Sequence, residues 1–260
     1  MTLKESLEQA IRDNTFRLRY QPQVDLTSGW IEGAVVSLLY WPDPHGEPVA
    51  QSALLSAAHD SAVAVELSEW ILRQACHQNR EWQQAGLPPI HVSVPMPAAL
   101  FRMPDAAQRI AMVLHETDLH GRYLELDIAE LALIDDLAHA DATLSALHDL
   151  QVQSAVTGVR FRAQGDKHLA TLPLDKIKLD GDLVSPSAKA RTGETLARLL
   201  VAHAHSTGLK IVVHGVDSFE QFEFFRRHEC FEMVGNFYYQ PVDGAVMSQL
   251  LDRESNASPR

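Results

Sequence analysis

The sequence is poor in cysteine, with two in 260 residues, Cys76 and Cys230. They do not form the closely spaced pair that holds zinc, and two thiols are too few for the disulfide framework of a small secreted domain. Both lie in apolar, helix-like surroundings. We therefore predict buried free thiols in a protein of a reducing compartment.

Basic residues are also scarce, because 22 Lys and Arg stand against 34 Asp and Glu, a formal net charge of -12. No block of basic residues offsets this charge, so the protein repels nucleic acid and anionic membranes. No hydrophobic run is long enough to span a bilayer, and no secretory signal is recognisable. The sequence predicts a cytoplasmic protein with no nucleic-acid partner and no membrane segment.

A regular alternation of short apolar strands and helices is present, in a composition that is 46% hydrophobic. The predicted strands cover 16–24, 31–39, 90–94, 123–128, 152–156, the end of 172–180, 209–213 and a short stretch around Met233. The predicted helices cover 5–12, 53–58, 66–84, 104–116, 138–150, 168–172, 192–206, 219–227 and 244–251.

This order of elements predicts an α/β fold. Strands that alternate with helices pair in parallel through helical crossovers. About eight strand–helix units favour a closed (β/α)8 or TIM barrel over an open sheet. No linker or internal repeat is visible, so we predict one domain over 1–254 and a disordered tail over 255–260. Sites in such barrels form at the rim where the strands end, which makes Lys178 and Asp180 candidates.

Several segments carry a specific family resemblance. They are 20–26 (YQPQVDL), 124–130 (LELDIAE), 175–180 (DKIKLD), 213–217 (VHGVD) and 239–241 (YQP). With these motifs in order, nearly the whole chain resembles the EAL-domain family of bacterial cyclic di-GMP phosphodiesterases. The resemblance implies a modified TIM barrel in which one strand is antiparallel.

The resemblance also implies a metal-assisted hydrolysis of a phosphodiester, in which carboxylates and an Asn hold divalent cations. Here the family's metal- and phosphate-binding positions fall on Val36, Tyr40, Pro95, Thr157, Gly158, His214 and Val234. Charged residues remain at Asp127, Glu130, Lys178 and Asp217. A hard cation wants six or more oxygen ligands. We therefore predict a degenerate pseudoenzyme without catalytic residues, metal or cofactor.

A ligand pocket is the second implication of the resemblance. The corresponding positions are Gln21, Leu39, Glu69, Lys178, His214, Asp217, Gln240 and Pro241. The Glu69 carboxylate can accept hydrogen bonds from a guanine, and Pro241 can pack on a base. Gln21 and Lys178 can donate to phosphate. Tyr40 weakens this interpretation, since it stands where the family has an Arg and offers one hydroxyl instead of a bidentate donor.

Three of these residues have a structural explanation as well. Lys178 can serve only to neutralise Asp127 at a crowded rim. Asp217 can cap the helix that follows it, and Ser218 can do the same. His214 can be a core histidine whose hydrogen bonds are satisfied within the protein.

Two functions of different classes follow. The first is a receptor that binds cyclic di-GMP without metal and relays this to a protein partner, such as a PilZ-type adaptor or a motility regulator by analogy. The second is a protein-interaction module that has lost the ligand, which the acidic surface and the divergent loop 160–164 favour. A third reading, an active phosphodiesterase, requires a new metal site built from Asp127, His214 and Asp217.

Overall fold

The computed structural model describes residues 9, 16–40, 49–50, 62–159, 171–184 and 190–257. The strands are β1 (Arg17–Asp25), β2 (Ile31–Tyr40), β3 (Val49–Ala50), β4 (His91–Met96), β5 (Leu124–Ala129), β6 (Gln153–Thr157), β7 (Lys176–Asp180), β8 (Lys210–His214) and β9 (Glu232–Val234). The α-helices are α1 (Ala62–Gln84), α2 (Ala98–Phe101), α3 (Ala106–Thr117), α4 (Glu130–Ile134), α5 (Leu137–Asp149), α6 (Ala190–Thr207), α7 (Phe219–Arg227) and α8 (Gly244–Ala257). Short 3-10 turns cover Gly121–Tyr123 and Gly181–Leu183.

Strand pairing closes the sheet into a barrel. Around the ring the order is β1, β9, β8, β7, β6, β5, β4 and β2, and β2 pairs with β1. β1 is antiparallel to both neighbours, whereas the pairs from β2 through β4 to β9 are parallel. β3 lies outside the ring and pairs with β2 in the antiparallel direction. The predicted barrel with one antiparallel strand is confirmed.

The strands alternate between an apolar and a polar face. In β5, Leu124, Leu126 and Ile128 are buried in the hydrophobic core between the sheet and the helices. Glu125 and Asp127, on the opposite face, meet charged side chains inside the barrel. The period of two along a strand thus separates an apolar outer core from a charged interior.

The carboxyl ends of the parallel strands form one rim. Asp180 at the end of β7 is in register with His214 at the end of β8, and Ala129 of β5 with Thr157 of β6. The strands are short, so the polar residues that end them lie together over the barrel interior. This rim is where the candidate site lies.

Most predicted elements are confirmed to within a few residues, and α7 has the predicted bounds. The disordered tail predicted from residue 255 is wrong for 255–257, which continue α8. The Glu254 carboxylate accepts a hydrogen bond from the Ile31 backbone N–H (2.9 Å), and the Ser255 hydroxyl donates to the Leu251 carbonyl. The first bond ties the end of α8 to β2, and the second lies within α8.

Some predictions fall on other parts of the chain. The helix 53–58, the loop 160–164, most of 168–172 and, apart from Gln9, the helix 5–12 lie outside the described residues. Cys76 and Cys230 are buried free thiols, as predicted.

Candidate functional site

Lys178 stands at the centre of a buried ionic cluster inside the barrel. Its Nζ atom lies 2.5 Å from Asp127 Oδ1, 2.6 Å from Glu125 Oε1 and 2.6 Å from the Ser93 hydroxyl. Ser93 in turn donates to Asp127 Oδ2 at 2.8 Å. All four side chains are buried, so the ammonium is compensated by protein atoms and not by water.

The cluster continues toward the other end of the barrel through Lys176. The Lys176 ammonium lies 2.9 Å from Glu125 and 3.4 Å from Glu232. Gln23 donates to Glu232 at 2.8 Å. The His91 Nε2 atom lies 3.6 Å from Glu125, beyond hydrogen-bond length. Two lysines of β7 are thus paired in the interior with three carboxylates of β5 and β9.

Burial and the lysine charges set the protonation of this cluster. Burial alone would raise the pKa of Glu125, but Lys178 and the other neighbouring cations hold it well below its usual range. Burial raises the pKa of Asp127 despite the pull of Lys178. Although burial opposes its charge, Glu125 and Glu232 raise the pKa of Lys176. Glu125 is therefore the permanent counter-ion of both lysines.

A cavity of 610 Å³ opens above this cluster at the rim. Asp127 and Lys178 lie at its floor, and the ends of β6 to β8 and α6 form its walls. Its lining residues are Asp127, Thr157, Gly158, Val159, Lys178, Leu179, Asp180, Leu183, Leu196, Leu200, His214 and Gly215. The cavity is apolar on the leucine side and polar where the strands end, as small-molecule sites commonly are.

His214 presents an unpaired polar atom at this cavity. Its ring is half-buried, and the buried Nε2 atom has no hydrogen-bond partner among the described residues. Burial and the nearby Lys178 charge lower the pKa of His214 to about 3. At neutral pH the ring is uncharged and has hydrogen-bonding capacity left over. This arrangement favours ligand contact over the explanation as a satisfied core histidine.

Two other predicted residues are linked in a second group. Gln21 Nε2 donates to the Tyr239 carbonyl at 2.9 Å and lies 3.4 Å from Asn236 Oδ1. The Asn236 backbone N–H donates to Asp217 Oδ1 at 2.8 Å. Gln21 and Asp217 therefore fix the loop after β9 and do not line the cavity.

Of the two residues that could cap α7, the structure uses Ser218. Ser218, and not Asp217, is the N-cap of α7, since its hydroxyl accepts from the Gln221 N–H and the Gln221 side chain accepts from the Ser218 N–H. This capping box explains Ser218 without any functional role.

The remaining predicted residues lie apart from the cavity. Glu69 on α1 pairs with Arg109 on α3 at 2.7 Å, so its carboxylate is engaged between helices. Leu39 is half-buried in β2, opposite Arg17 of β1. Gln240 is exposed, and Pro241 is half-buried in the loop before α8. The structure thus brings Lys178 and His214 together and leaves the other six outside the cavity.

Sequence reasoning missed the rest of the ionic cluster around Lys178, which consists of Glu125, Lys176, Glu232 and Gln23. A signal for two of them was present, since Glu125 alternates with apolar residues in β5 and Lys176 precedes Lys178 by two. Side chains two apart on a strand share a face, so both charges had to enter the barrel together.

The EAL domain family model matches residues 4–241. The chain belongs to the EAL domain family. Among curated relatives, this EAL domain is 25% identical over 251 residues to the cyclic di-GMP phosphodiesterase NbdA of Pseudomonas aeruginosa, and 26% over 242 residues to the oxygen sensor protein DosP of Escherichia coli. The alignments cover 96% and 93% of this chain but 32% and 30% of those proteins. The chain thus spans about a third of the curated relatives it matches.

Solved structures share the fold of this EAL domain. A complex of the phosphodiesterase PaMucR with c-di-GMP superposes with a TM-score of 0.87 at 24% identity, covering 94% of this chain and 99% of that one. The FimX EAL domain from Pseudomonas aeruginosa bound to c-di-GMP superposes with a TM-score of 0.81 at 21% identity, covering 92% and 96%.

Within the described ranges, no three His, Cys, Asp or Glu side chains are grouped so that they could hold a metal ion. Over the same residues, every helix is too short or too polar to cross a membrane.

Proposed function

We propose that this EAL domain is a receptor that binds cyclic di-GMP without metal, leaves it intact and relays binding to a protein partner. The observation that carries the proposal is the position of Lys178, 2.5 Å from Asp127 and 2.6 Å from Glu125 under the cavity. Lys178 is a position that the resemblance retains, and its ammonium here engages both carboxylates under the cavity.

The residues at the cavity do not fit a divalent metal. Asp127 lies at a position where the resemblance implies a metal ligand, and it keeps a carboxylate at this cavity. That carboxylate is already paired with Lys178. Thr157 and Gly158 line the wall where the resemblance implies two aspartates. Val36, in place of the motif's Glu, is buried in the core. A hard cation would face too few oxygens and a neighbouring positive charge.

The cavity retains features that suit a nucleotide. It lies at the strand ends, combines an apolar wall with polar groups, and contains the unpaired His214 nitrogen. Two relatives of the same fold, PaMucR and FimX, are solved with c-di-GMP. We therefore propose that this chain binds the same dinucleotide but does not hydrolyse it.

The affinity should be modest. Lys178 is the cation among the described lining residues, and its charge is shared with Asp127 and Glu125. Asp180, at the same rim, adds a carboxylate. Two phosphates thus gain little Coulomb attraction, and a Kd on the order of micromolar, about -8 kcal/mol, is the expectation.

Calorimetric titration of c-di-GMP into the purified chain, with a chelator present, tests this function. We expect micromolar binding, with the dinucleotide recovered intact by chromatography after prolonged incubation with Mg²⁺ or Mn²⁺. His214→Ala should weaken binding about tenfold or more, because a hydrogen-bonding group in the cavity is removed. His205→Ala, an exposed histidine on α6, is the matched control and should leave the affinity unchanged.

Two results would contradict the proposal. Metal-dependent conversion to the linear dinucleotide would make the chain an active phosphodiesterase with a rearranged site. Absence of both binding heat and thermal shift would exclude the receptor.

A protein-interaction module without ligand is the second candidate. The observation in its favour is that Lys178 already contacts three protein groups, Asp127, Glu125 and Ser93, which compete with any phosphate. The partner itself, a PilZ-type adaptor or a motility regulator, remains an analogy, and a cytoplasmic location remains a prediction.

A further inference from the structure

Four aromatic rings form a surface beside the rim. Phe219 and Phe222 of α7 meet Phe237 and Tyr238 of the loop after β9, and these four residues are the aromatic surface. Phe222 and Phe237 stack at 5.3 Å and 17°. Phe219 packs at 5.9 and 6.4 Å from them, and Tyr238 stands edge-on to both. Phe219 is 64% and Phe237 39% exposed, a high exposure for packed phenylalanines.

The aromatic surface is held by the same loops that form the cavity rim. The Phe237 N–H donates to the Val216 carbonyl at 3.0 Å, and Val216 follows His214 by two residues. The Gln221 side chain donates at 3.1 Å to the carbonyl of Gly181, which begins the 3-10 turn that carries Leu183 to the cavity. Exposed rings on a rigid frame suit recognition, because little conformational entropy is lost when a partner binds.

The charge around the aromatic surface identifies its partner. Asp217 and Glu220 are exposed beside Phe219 in sequence. Both nearby arginines, Arg226 and Arg227, pair with Glu223 at 3.0 and 3.1 Å. The Arg226 guanidinium also lies over the Phe222 ring at 5.9 Å, which leaves Phe219 and Phe237 for a partner's cation. The surface is therefore acidic at its edge, in a chain of net charge -12. A second copy would bring the same carboxylates against it, whereas lysine or arginine can contact both carboxylates and ring faces.

We propose that the aromatic surface docks a segment of a partner protein in which an aromatic or aliphatic side chain is flanked by Lys or Arg. The apolar side chain packs on Phe219 and Phe237, and the flanking cations meet Asp217 and Glu220. This docking does not require that c-di-GMP binds, and it supplies the relay surface if c-di-GMP does bind.

A random dodecapeptide library displayed on phage and panned against the full chain, with no dinucleotide added, tests the proposal. We expect selected peptides to place Lys or Arg around an apolar residue, and their binding, followed by fluorescence anisotropy, to weaken with added salt. The double variant Phe219→Ser with Phe237→Ser should lower affinity tenfold or more. Glu220→Lys, which keeps every ring, should lower it severalfold.

Phe231→Ser is the matched control, since Phe231 is 43% exposed but stands before β9, at the opposite end of that strand. It should change affinity less than twofold. Thermal unfolding of every variant confirms that the fold is retained. An empty selection, acidic selected peptides, or equal binding by the double variant would overturn the proposal. The proposal would also be overturned if sedimentation showed a dimer for the wild type and a monomer for the double variant, because the aromatic surface would then join two copies of the chain.

Discussion

Replacing Lys178 with methionine should destabilise the protein by about 3–5 kcal/mol, the usual cost of removing one partner from a buried ion pair. The ammonium lies within 2.6 Å of Glu125 and Asp127, both of which are buried. Without it, two carboxylates remain in the interior with Lys176 as their neighbouring cation, and Lys176 also serves Glu232. Urea unfolding at pH 7 measures the loss.

Two variants show whether the effect is electrostatic. Asp127→Asn should cost only about 1 kcal/mol, because Glu125 still neutralises Lys178 and the amide keeps the hydrogen-bonding shape. Lys210→Met, on the exposed end of β8, should stay within about 0.5 kcal/mol. If Asp127→Asn costs as much as Lys178→Met, the cluster is held by shape and hydrogen bonds and not by charge compensation.

The ionic cluster shows what the sequence could and could not predict. The alternation in β5 predicts a strand with Glu125 and Asp127 on one face, and the same holds for Lys176 and Lys178 in β7. That these charges meet depends on the barrel, because β6 separates β5 from β7 in the sheet. The contact runs across the interior, which pattern reasoning on single strands does not reach.

The loops around the site illustrate a different limit. The capping box of α7 was readable, since Ser218 is followed at the third position by Gln221. The aromatic surface was not, because the helix sequence FEQFEFF does not reveal which rings are covered. Phe225 is fully buried and Phe219 mostly exposed, and Phe219 packs against Phe237, which lies outside the helix in the loop after β9. The sequence likewise does not reveal that Arg109 of α3 engages the Glu69 carboxylate, which is the reason that the predicted ligand contact of Glu69 has a structural alternative.

Lowering the pH from 6.5 to 5 should destabilise the protein through two neutral histidines, the buried His91 and the half-buried His214. Burial lowers the pKa of both His91 and His214 to about 3, although Glu125 favours the charged form of His91. The unfolded chain takes up these protons below about pH 6.5 and the folded chain does not, so stability falls as pH falls. The slope is about 1.4 kcal/mol per pH unit for each histidine. Between pH 6.5 and pH 5, His91 alone then lowers the free energy of unfolding by about 2 kcal/mol. The half-buried His214 lowers it by a smaller amount.

The variant His91→Gln isolates this contribution, since glutamine is neutral at every pH. The His91 ring lies against Gly33, where an added Cβ would come within 2.4 Å of it, so the absence of a side chain at Gly33 leaves the space that the ring occupies. Asp127, whose pKa is raised, contributes with the opposite sign above its unfolded pKa, and the comparison of variant with wild type cancels it. Urea unfolding between pH 5 and 7 should therefore show a shallower slope for His91→Gln and an unchanged slope for His205→Gln, the exposed control. Parallel slopes for wild type and His91→Gln would mean that His91 becomes protonated within the folded barrel, with Glu125 as its counter-ion at 3.6 Å.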